Sequence, residues 1–244
     1  MATSQSRSAI VFVPGFMQSG GAWALVADLL PERYPSVLSR HCEHTYEGRL
    51  REIAAAGEGK VLVGYSMGGR LALHAALREP ERYSGVVTVG ASAGIEAPGA
   101  RTARAEADAK LAAWMETQPI EAIVAIWERQ PLFADQSEAL VEAQRGDRLG
   151  QDPRGLATLL RTAGQGALGP VWQSLHTLEP PLLAIAGSRD EAYCQAARRM
   201  ALGAPRGHAE VVDAAGHAAH LQRPREVADL LVEFLDQHLG EGAL

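Results

Sequence analysis

The sequence predicts an α/β fold in which helices cover both faces of a mostly parallel β-sheet. Short apolar runs typical of buried strands recur along the chain, and helical patterns separate most of them. Strands that alternate with helices in this way indicate a parallel sheet with helices on its faces. The chain has 244 residues, which suits one such domain or one domain with an inserted segment.

The strand and helix patterns follow one another in a regular order. Strands are predicted at residues 9–13, 35–39, 61–63, 85–89, 182–186 and 209–212. Helices are predicted at residues 23–30, 47–56, 68–78, 101–116, 119–129, 135–148, 153–163, 191–201 and 224–238. No strand pattern interrupts residues 95–169. We therefore expect residues 1–94 and 170–244 to form the core, and residues 95–169 to form a helical cap inserted after the strand at 85–89.

Composition and charge exclude several classes of function. The formal net charge is -6 and Lys and Arg form no block, so nucleic acid is not an expected partner. The first residues are polar, and no run of eighteen apolar residues occurs. These features predict a cytoplasmic protein without a membrane segment. The sequence patterns do not predict an oligomeric state, so a monomer and a homodimer are both compatible with them.

The cysteines and the histidines near them do not indicate a metal site. Cys42 and Cys194 fit neither a zinc spacing nor a disulfide framework, and we expect both to be reduced and structural. His41 and His44 flank Cys42, but no second pair of ligands accompanies them. We expect them to lie on the surface or along a pocket, and we expect neither a metal nor a cofactor.

The stretch from residue 60 to 73 carries the strongest signal for chemistry. Gly64-Tyr65-Ser66-Met67-Gly68 fits the pattern G-x-S-x-G, with a strand pattern before it and a helical pattern after it. In that context the serine lies on a sharp turn and its Oγ projects above the sheet edge. Glycines flank it because a Cβ would clash with the neighbouring strand and helix. We therefore predict that Ser66 is a nucleophile, the alternative being a serine turn without catalysis.

A serine nucleophile needs a base and an acid that orients the base, and the chain offers both in order. In α/β-hydrolase folds the order is Ser, then Asp or Glu, then His. Asp190 and His217 each follow a predicted strand, where open parallel sheets place their sites. Asp190 could instead cap the helix after it. Asp213 is the rival acid and His220 the rival base.

The glycine-rich loop after the first strand is the second part of the predicted site. Pro14-Gly15-Phe16 opens this loop. In the α/β-hydrolase arrangement such a loop supplies one backbone N–H of the oxyanion hole, and the residue after the nucleophile supplies the other. We predict these donors to be the amides of Phe16 and Met67, an ordinary strand-to-helix turn being the alternative for the loop.

Several stretches together resemble one enzyme family. They are V-G-Y-S-M-G-G-R-L-A-L at residues 63–73, W-E-R-Q-P-L-F-A at 127–134, R-L-G-Q-D-P-R-G-L-A at 148–157 and A-G-H-A-A-H at 215–220. These stretches resemble the α/β-hydrolase-fold synthase of menaquinone biosynthesis. That family makes 2-succinyl-6-hydroxy-2,4-cyclohexadiene-1-carboxylate by eliminating pyruvate. The resemblance runs from about residue 13 to the C-terminal helix.

The resemblance implies a set of substrate-binding residues, namely Tyr65, Arg70, Arg104, Trp127 and Arg148. In the family, arginines at the three matching positions bind the carboxylates of a polyanionic substrate. Guanidinium suits this task because it grips a carboxylate with two parallel hydrogen bonds and stays charged. For Arg104 and Arg148, which lie in charged helical stretches, a solvated surface position is the alternative.

The chain also departs from the family pattern. It has Pro14-Gly15-Phe16 where the family has H-G-F, and Ala218 where Asn is expected. The D-L-P-G-H-G element is absent, and residues 39–59 form a shorter region than in the family. The element G-E-x-D-x-K/R-F appears as G-S-R-D-E-A-Y at residues 187–193. One wall of the pocket is therefore expected to differ.

Three functions are compatible with these patterns. The first is a lyase that eliminates pyruvate from a menaquinone precursor, and the second is a serine hydrolase acting on a small ester, thioester or lactone. The predicted triad fits both, whereas a cationic pocket favours an anionic small-molecule substrate and hence the lyase. The third is a ligand receptor on a hydrolase scaffold, which the intact Ser, Asp and His set disfavours.

Overall fold

The computed structural model describes residues 10–39, 42–56 and 59–239. In these ranges six strands form one sheet with the order β2-β1-β3-β4-β5-β6. Every pair of neighbouring strands is parallel. The strands are β1 Ile10–Val13, β2 Ser36–Leu38, β3 Lys60–Tyr65, β4 Tyr83–Val89, β5 Leu182–Gly187 and β6 Gly207–Val212. The predicted fold class is confirmed.

Helices follow the strands and cover the sheet. The first five α-helices are α1 Ala24–Ala27, α2 Tyr46–Ala55, α3 Met67–Arg78, α4 Pro98–Met115 and α5 Ile120–Trp127. The next five are α6 Glu138–Leu149, α7 Pro153–Ala163, α8 Glu191–Gly203, α9 Ala219–Gln222 and α10 Pro224–Leu239. Short 3-10 turns occur at Gly20–Trp23, Pro80–Arg82, Pro131–Phe133 and Trp172–Thr177.

The hydrophobic core lies on both faces of the sheet. Successive side chains of a strand point to opposite faces. Val11 and Val13 of β1 accordingly pack in the cluster that contains the apolar residues of α3 and α8. Ile10 and Phe12 pack in the other cluster, which contains the apolar face of α10. Every residue of β1 is buried, as expected for a central strand of a parallel sheet.

Between β4 and β5 the described chain forms only helices and turns. Helices α4 and α7 pack against each other, and α5 contacts α6. Their buried residues, including Met115, Ile123 and Leu160, belong to the same cluster as the sheet face that α3 covers. The helical nature of residues 95–169 thus follows the sequence pattern. The division into core and cap stays a prediction.

One predicted helix, at residues 23–30, is wrong in its extent. The structure has a 3-10 turn at Gly20–Trp23 followed by the four-residue α1. Beyond α1 the amides of Leu29 and Leu30 donate to carbonyls three residues back, so the chain tightens. Only Val26 of α1 is buried, which leaves a longer helix little to pack against. All other predicted elements differ from the observed ones by three residues or fewer at each end.

The structure also places the cysteines and one of the two histidines near them. Cys42 is exposed and Cys194 is buried, and both are free thiols. His41 lies outside the described residues, and His44 packs against Gly155. Across the described ranges no group of three His, Cys, Asp or Glu side chains is placed to hold a metal ion. In the same part of the chain, no helix has both the length and the apolar character to cross a membrane.

Candidate active site

Ser66 lies on a sharp turn between β3 and α3. Its backbone φ of 50° and ψ of -110° fall in a region that residues with a side chain rarely adopt. The Ser66 amide donates to the Val89 carbonyl at 2.8 Å and ties the turn to β4. A Cβ on Gly64 or Gly68 would collide with neighbouring backbone atoms. This turn has the strained strand-to-helix geometry that the G-x-S-x-G pattern predicts.

The side chains of His217 and Asp190 meet Ser66 in a hydrogen-bonded chain. His217 Nε2 lies 3.0 Å from Ser66 Oγ, and its Nδ1 lies 2.7 Å from Asp190 Oδ2. Asp190 follows β5 and His217 follows β6, so both enter from the same sheet edge as Ser66. Asp190 stands at the N-cap of α8, yet its side chain makes no capping bond and contacts His217 instead. The structure brings the three predicted residues together, and their catalytic roles remain a proposal.

The two rival residues lie in other environments. Asp213 accepts a hydrogen bond from Ser188 Oγ at 3.2 Å, on the exposed side of its loop. His220 is 0% exposed, and neither ring nitrogen has a hydrogen-bond partner within the described residues. Its ring lies between Trp23 and Tyr65, at centroid distances of 4.4 and 4.3 Å. Burial lowers the pKa of His220 to about 3, with His217 acting in the same direction.

One cavity collects Ser66, His217 and the predicted substrate-binding residues. Loops of the sheet edge form one side of its lining, and helices and turns between residues 98 and 165 form the other. Its lining residues are Phe16, Gln18, Tyr65, Ser66, Met67, Arg70, Arg104, Asp108, Leu111, Trp127, Leu132, Phe133, Arg148, Leu160, Gly164, Gln165, Tyr193 and His217. Asp190 is absent from this lining because it stands behind His217.

Arg70 is a buried cation in this cavity. Its side chain is 6% exposed, and its Nη2 reaches only the Ala163 carbonyl, at 3.4 Å. Its Nε has no partner, and no carboxylate within the described ranges forms an ion pair with it. Burial lowers the pKa of Arg70 to about 10, and Arg104 acts in the same direction. A buried charge without a counter-ion costs free energy, and an anionic ligand would remove that cost.

Arg104 and Arg148 line the same cavity but already have anionic partners. Arg104 Nε lies 2.7 Å from Asp108 Oδ1, and its side chain is partly exposed. Arg148 donates to Glu128 at 3.1 Å and to Gln144 at 2.8 Å. Arg148 is 2% exposed, so a solvated surface position is wrong for it. Arg70 therefore differs from both in lacking a carboxylate partner in the described part of the chain.

Tyr65 and Trp127 contribute aromatic walls. The Tyr65 ring lies 5.3 Å from that of His217, centroid to centroid, and burial raises the pKa of its hydroxyl. The Trp127 ring packs edge-on against Phe16 at 5.2 Å. This contact joins α5 to the loop that follows β1, so helices of the 95–169 segment touch the loop predicted to hold an oxyanion donor.

The predicted oxyanion donors lie on two adjacent segments. Met67 is the first residue of α3, where a backbone N–H has no partner inside the helix. Phe16 lies in the loop after β1, and the next residue, Met17, has a φ of 62°. A side chain on Gly68 would collide with the carbonyls of Val13 and Pro14, which shows how closely the two segments approach. Both residues line the cavity with Ser66.

The sequence reasoning missed five polar or aromatic residues of the cavity, namely Gln18, Asp108, Phe133, Gln165 and Tyr193. The Tyr193 ring lies 4.5 Å from that of His217, centroid to centroid. Three of them had a signal in the sequence. Phe133 belongs to the family-like stretch at residues 127–134, Asp108 stands at i+4 from Arg104, and Tyr193 stands at i+3 from Asp190. Gln18 had none, since loop position alone does not fix a side-chain direction.

Comparison with known proteins decides the family. The model of the Alpha/beta hydrolase family matches residues 10–230. The chain belongs to the α/β-hydrolase family. Within this family, it is 29% identical to the 2-succinyl-6-hydroxy-2,4-cyclohexadiene-1-carboxylate synthase of Serratia proteamaculans (strain 568), over 94% of this chain and 93% of that one. A relative in Bacillus subtilis (strain 168), provisionally named for the same synthase, is 31% identical over 94% and 91% of the two chains.

Solved structures of α/β hydrolases agree with these relatives. MenH from S. aureus superimposes with a TM-score of 0.88 at 26% identity, covering 97% of this chain and 96% of that one. A thermophilic esterase from Thermogutta terrifontis superimposes with a TM-score of 0.74 at 21% identity, over 95% and 90% of the two chains. The esterase shares the fold alone. The predicted resemblance to the menaquinone-biosynthesis synthases is confirmed.

Proposed function

We propose that this chain is a carbon–oxygen lyase that makes 2-succinyl-6-hydroxy-2,4-cyclohexadiene-1-carboxylate by eliminating pyruvate from a menaquinone precursor. The observation that carries the proposal is Arg70, a buried cation that lines the cavity with Ser66 and has no carboxylate partner in the described residues. A polyanionic substrate supplies that partner, whereas a neutral ester does not. The names of the relatives support the same reaction.

The hydrogen bonds of His217 define the proton path in this proposal. An ionised Asp190 can only accept, so Nδ1 of His217 carries the proton and donates to it. Nε2 is then free to accept the Ser66 hydroxyl proton across 3.0 Å. Asp190 also stabilises the imidazolium that forms. Ser66 and His217 thus act as one base, which removes a proton from carbon of the substrate.

Elimination then follows from the charge that this step creates. The electron pair of the broken C–H bond becomes an enolate-like oxyanion, to which the amides of Phe16 and Met67 would donate. Preorganised donors of this kind are worth about 2.7–4 kcal/mol each. As the oxyanion collapses, a carbon–carbon double bond forms and the carbon–oxygen bond to the leaving group breaks. The leaving group takes that electron pair and the proton that Ser66 and His217 had removed, so it departs as pyruvate and the base is restored.

Direct turnover tests the proposal. Purified protein is incubated with the menaquinone precursor, and pyruvate is measured by coupled oxidation of NADH. Ser66→Ala is expected to lower the rate by a factor on the order of 10⁴ to 10⁶ with an unchanged melting curve. Ser174→Ala, an exposed position, is the matched control. Absence of pyruvate with the wild type rejects the lyase, and a Ser66→Ala rate within tenfold of wild type rejects the role of Ser66.

A serine hydrolase acting through an acyl-enzyme is the second candidate. The contact of Ser66 with His217 favours it equally, because an activated hydroxyl attacks esters as readily as it relays a proton. A panel of neutral p-nitrophenyl esters distinguishes the two functions through nitrophenolate release. Mass spectrometry of the quenched reaction adds a second readout, since only the hydrolase accumulates an acyl group on Ser66. For either candidate we expect a cytoplasmic location, which cell fractionation can test.

A further inference from the structure

Gln18 is a cavity residue that the proposed mechanism does not use. It lies in the loop after β1, two residues beyond Phe16, and lines the cavity together with Ser66, Arg70 and His217. Its side chain is largely buried, at 8% exposure. A buried amide of this kind is ordinarily hydrogen-bonded through both its oxygen and its nitrogen.

The amide orientation of Gln18 follows from one hydrogen bond. The Gly15 backbone N–H donates to Gln18 Oε1 at 3.1 Å. A backbone N–H can only donate, so the atom that faces it must be the amide oxygen. The NH₂ group then points elsewhere. Within residues 10–39, 42–56 and 59–239 no protein group accepts from Nε2, and Nε2 keeps accessible surface in a side chain that lines the cavity.

The loop that carries Gln18 is held in place on several sides. A Cβ on Gly15 would lie 2.6 Å from the Tyr65 ring, so ring and backbone are in direct contact. The Ser19 amide donates to Asp147 Oδ2 of α6 at 2.8 Å, which ties the loop to the helical segment. Gln18 is therefore presented in one orientation before any ligand binds, and preorganised donors lose little entropy on binding.

We propose that Gln18 contacts the substrate, donating from Nε2 to a negatively charged oxygen of the bound anion. The inference rests on the proposed function for the identity of that anion. It assigns Gln18 as a specificity residue for anionic substrates, acting beside Arg70. Oε1 holds the loop through Gly15 while Nε2 serves the ligand, so the two ends of the amide have separate tasks.

Two substitutions separate those tasks. Gln18→Glu keeps an oxygen for the Gly15 amide but replaces the donor with a second, charged oxygen. Gln18→Met keeps the length of the side chain and removes both groups. Gln173→Glu, an exposed position, is the control for the change of charge. Melting curves and steady-state kinetics are measured on the menaquinone precursor, on p-nitrophenyl hydrogen succinate and on neutral p-nitrophenyl butyrate.

We expect Gln18→Glu to melt like the wild type and to raise KM for both anionic substrates at least about tenfold, as loss of a hydrogen bond to a charged group implies. Turnover of the butyrate ester and the kinetics of Gln173→Glu should not change. If Gln18 only shapes the loop, Gln18→Glu will match the wild type on every substrate while Gln18→Met is impaired on all of them. That pattern overturns the inference.

The same data keep this inference apart from the proposed function. If the wild type releases no pyruvate but Gln18→Glu raises KM for the succinate ester, the lyase is rejected and the Gln18 contact is retained. If the wild type releases pyruvate and KM is unchanged in Gln18→Glu, the proposed lyase function is retained and the Gln18 contact is rejected. A wild type that turns over none of the three substrates rejects both.

Discussion

Replacement of Arg70 by methionine is expected to stabilise the protein and to damage its function at the same time. Burial lowers the pKa of this guanidinium from its ordinary value to about 10. At 1.36 kcal/mol per pKa unit, this lowering corresponds to a penalty of about 3 kcal/mol on the charged form. Near neutral pH Arg70 is fully charged in both the folded and the unfolded state. The penalty therefore lowers the free energy of unfolding by an amount that does not change with pH in this range.

Methionine removes the penalty and retains most of the apolar stem. The change also removes the long hydrogen bond from Arg70 to the Ala163 carbonyl, which is worth roughly 1 kcal/mol or more. The net expectation is a free energy of unfolding raised by about 1–2 kcal/mol, in line with other replacements of buried charges by apolar side chains. For a chain of this size the melting temperature should rise by about 2–4 °C per kcal/mol.

Catalysis should change in the opposite direction. Loss of a hydrogen-bonded ion pair with the substrate is worth about 1.5–3 kcal/mol, which raises KM for the polyanionic precursor roughly 10- to 150-fold. A neutral p-nitrophenyl ester should be turned over as before. Arg78→Met is the matched control, since Arg78 lies on the same helix but is exposed and paired with Glu47. A lower melting temperature for Arg70→Met, or equal losses on both substrates, would refute the reasoning.

Three further predictions concern the acid, the buried histidine and metals. Asp190→Asn should lower kcat by a factor on the order of 10⁴, because asparagine cannot orient or stabilise the His217 imidazolium, while Asp213→Asn stays near wild type. The reverse order among folded variants would show that the acid is misassigned. His220 has a pKa of about 3 in the folded chain and a higher one when unfolded, so the unfolded state binds more protons between about pH 3 and 6.5. The free energy of unfolding should therefore fall as pH drops through that window. Urea titrations at several pH values should show that this free energy depends less on pH in His220→Phe than in the wild type, and an equal pH dependence would contradict this. Dialysis against EDTA should leave pyruvate release unchanged, and complete loss that added metal restores would contradict the expectation that the reaction needs no metal.

The local sequence was sufficient to predict the strand, turn and helix around Ser66. Periodicities of two and 3.6 residues, and the glycines that a sharp turn requires, are properties of a few adjacent residues. The meeting of Ser66, Asp190 and His217 was also predictable, because each residue follows a strand and parallel strands end at one sheet edge. The predicted extent of the helix at residues 23–30 was wrong because the length of a helix depends on what it packs against, and the local pattern does not contain that information.

Only the tertiary structure decided the electrostatics of the cavity. The sequence offered Arg70, Arg104 and Arg148 as candidates, with a solvated surface position as the alternative for the last two, but it did not show the partners, which lie on other turns and other elements of the fold. Arg148 of α6 forms an ion pair with Glu128 at the end of α5, whereas Arg70 donates to a backbone carbonyl. The charge state of a cavity depends on distances of a few ångströms between residues far apart in sequence. The sequence by itself therefore identified Ser66, Asp190 and His217 as candidates, and packing determined that, among the described residues, Arg70 has no carboxylate partner and Gln18 Nε2 has no acceptor.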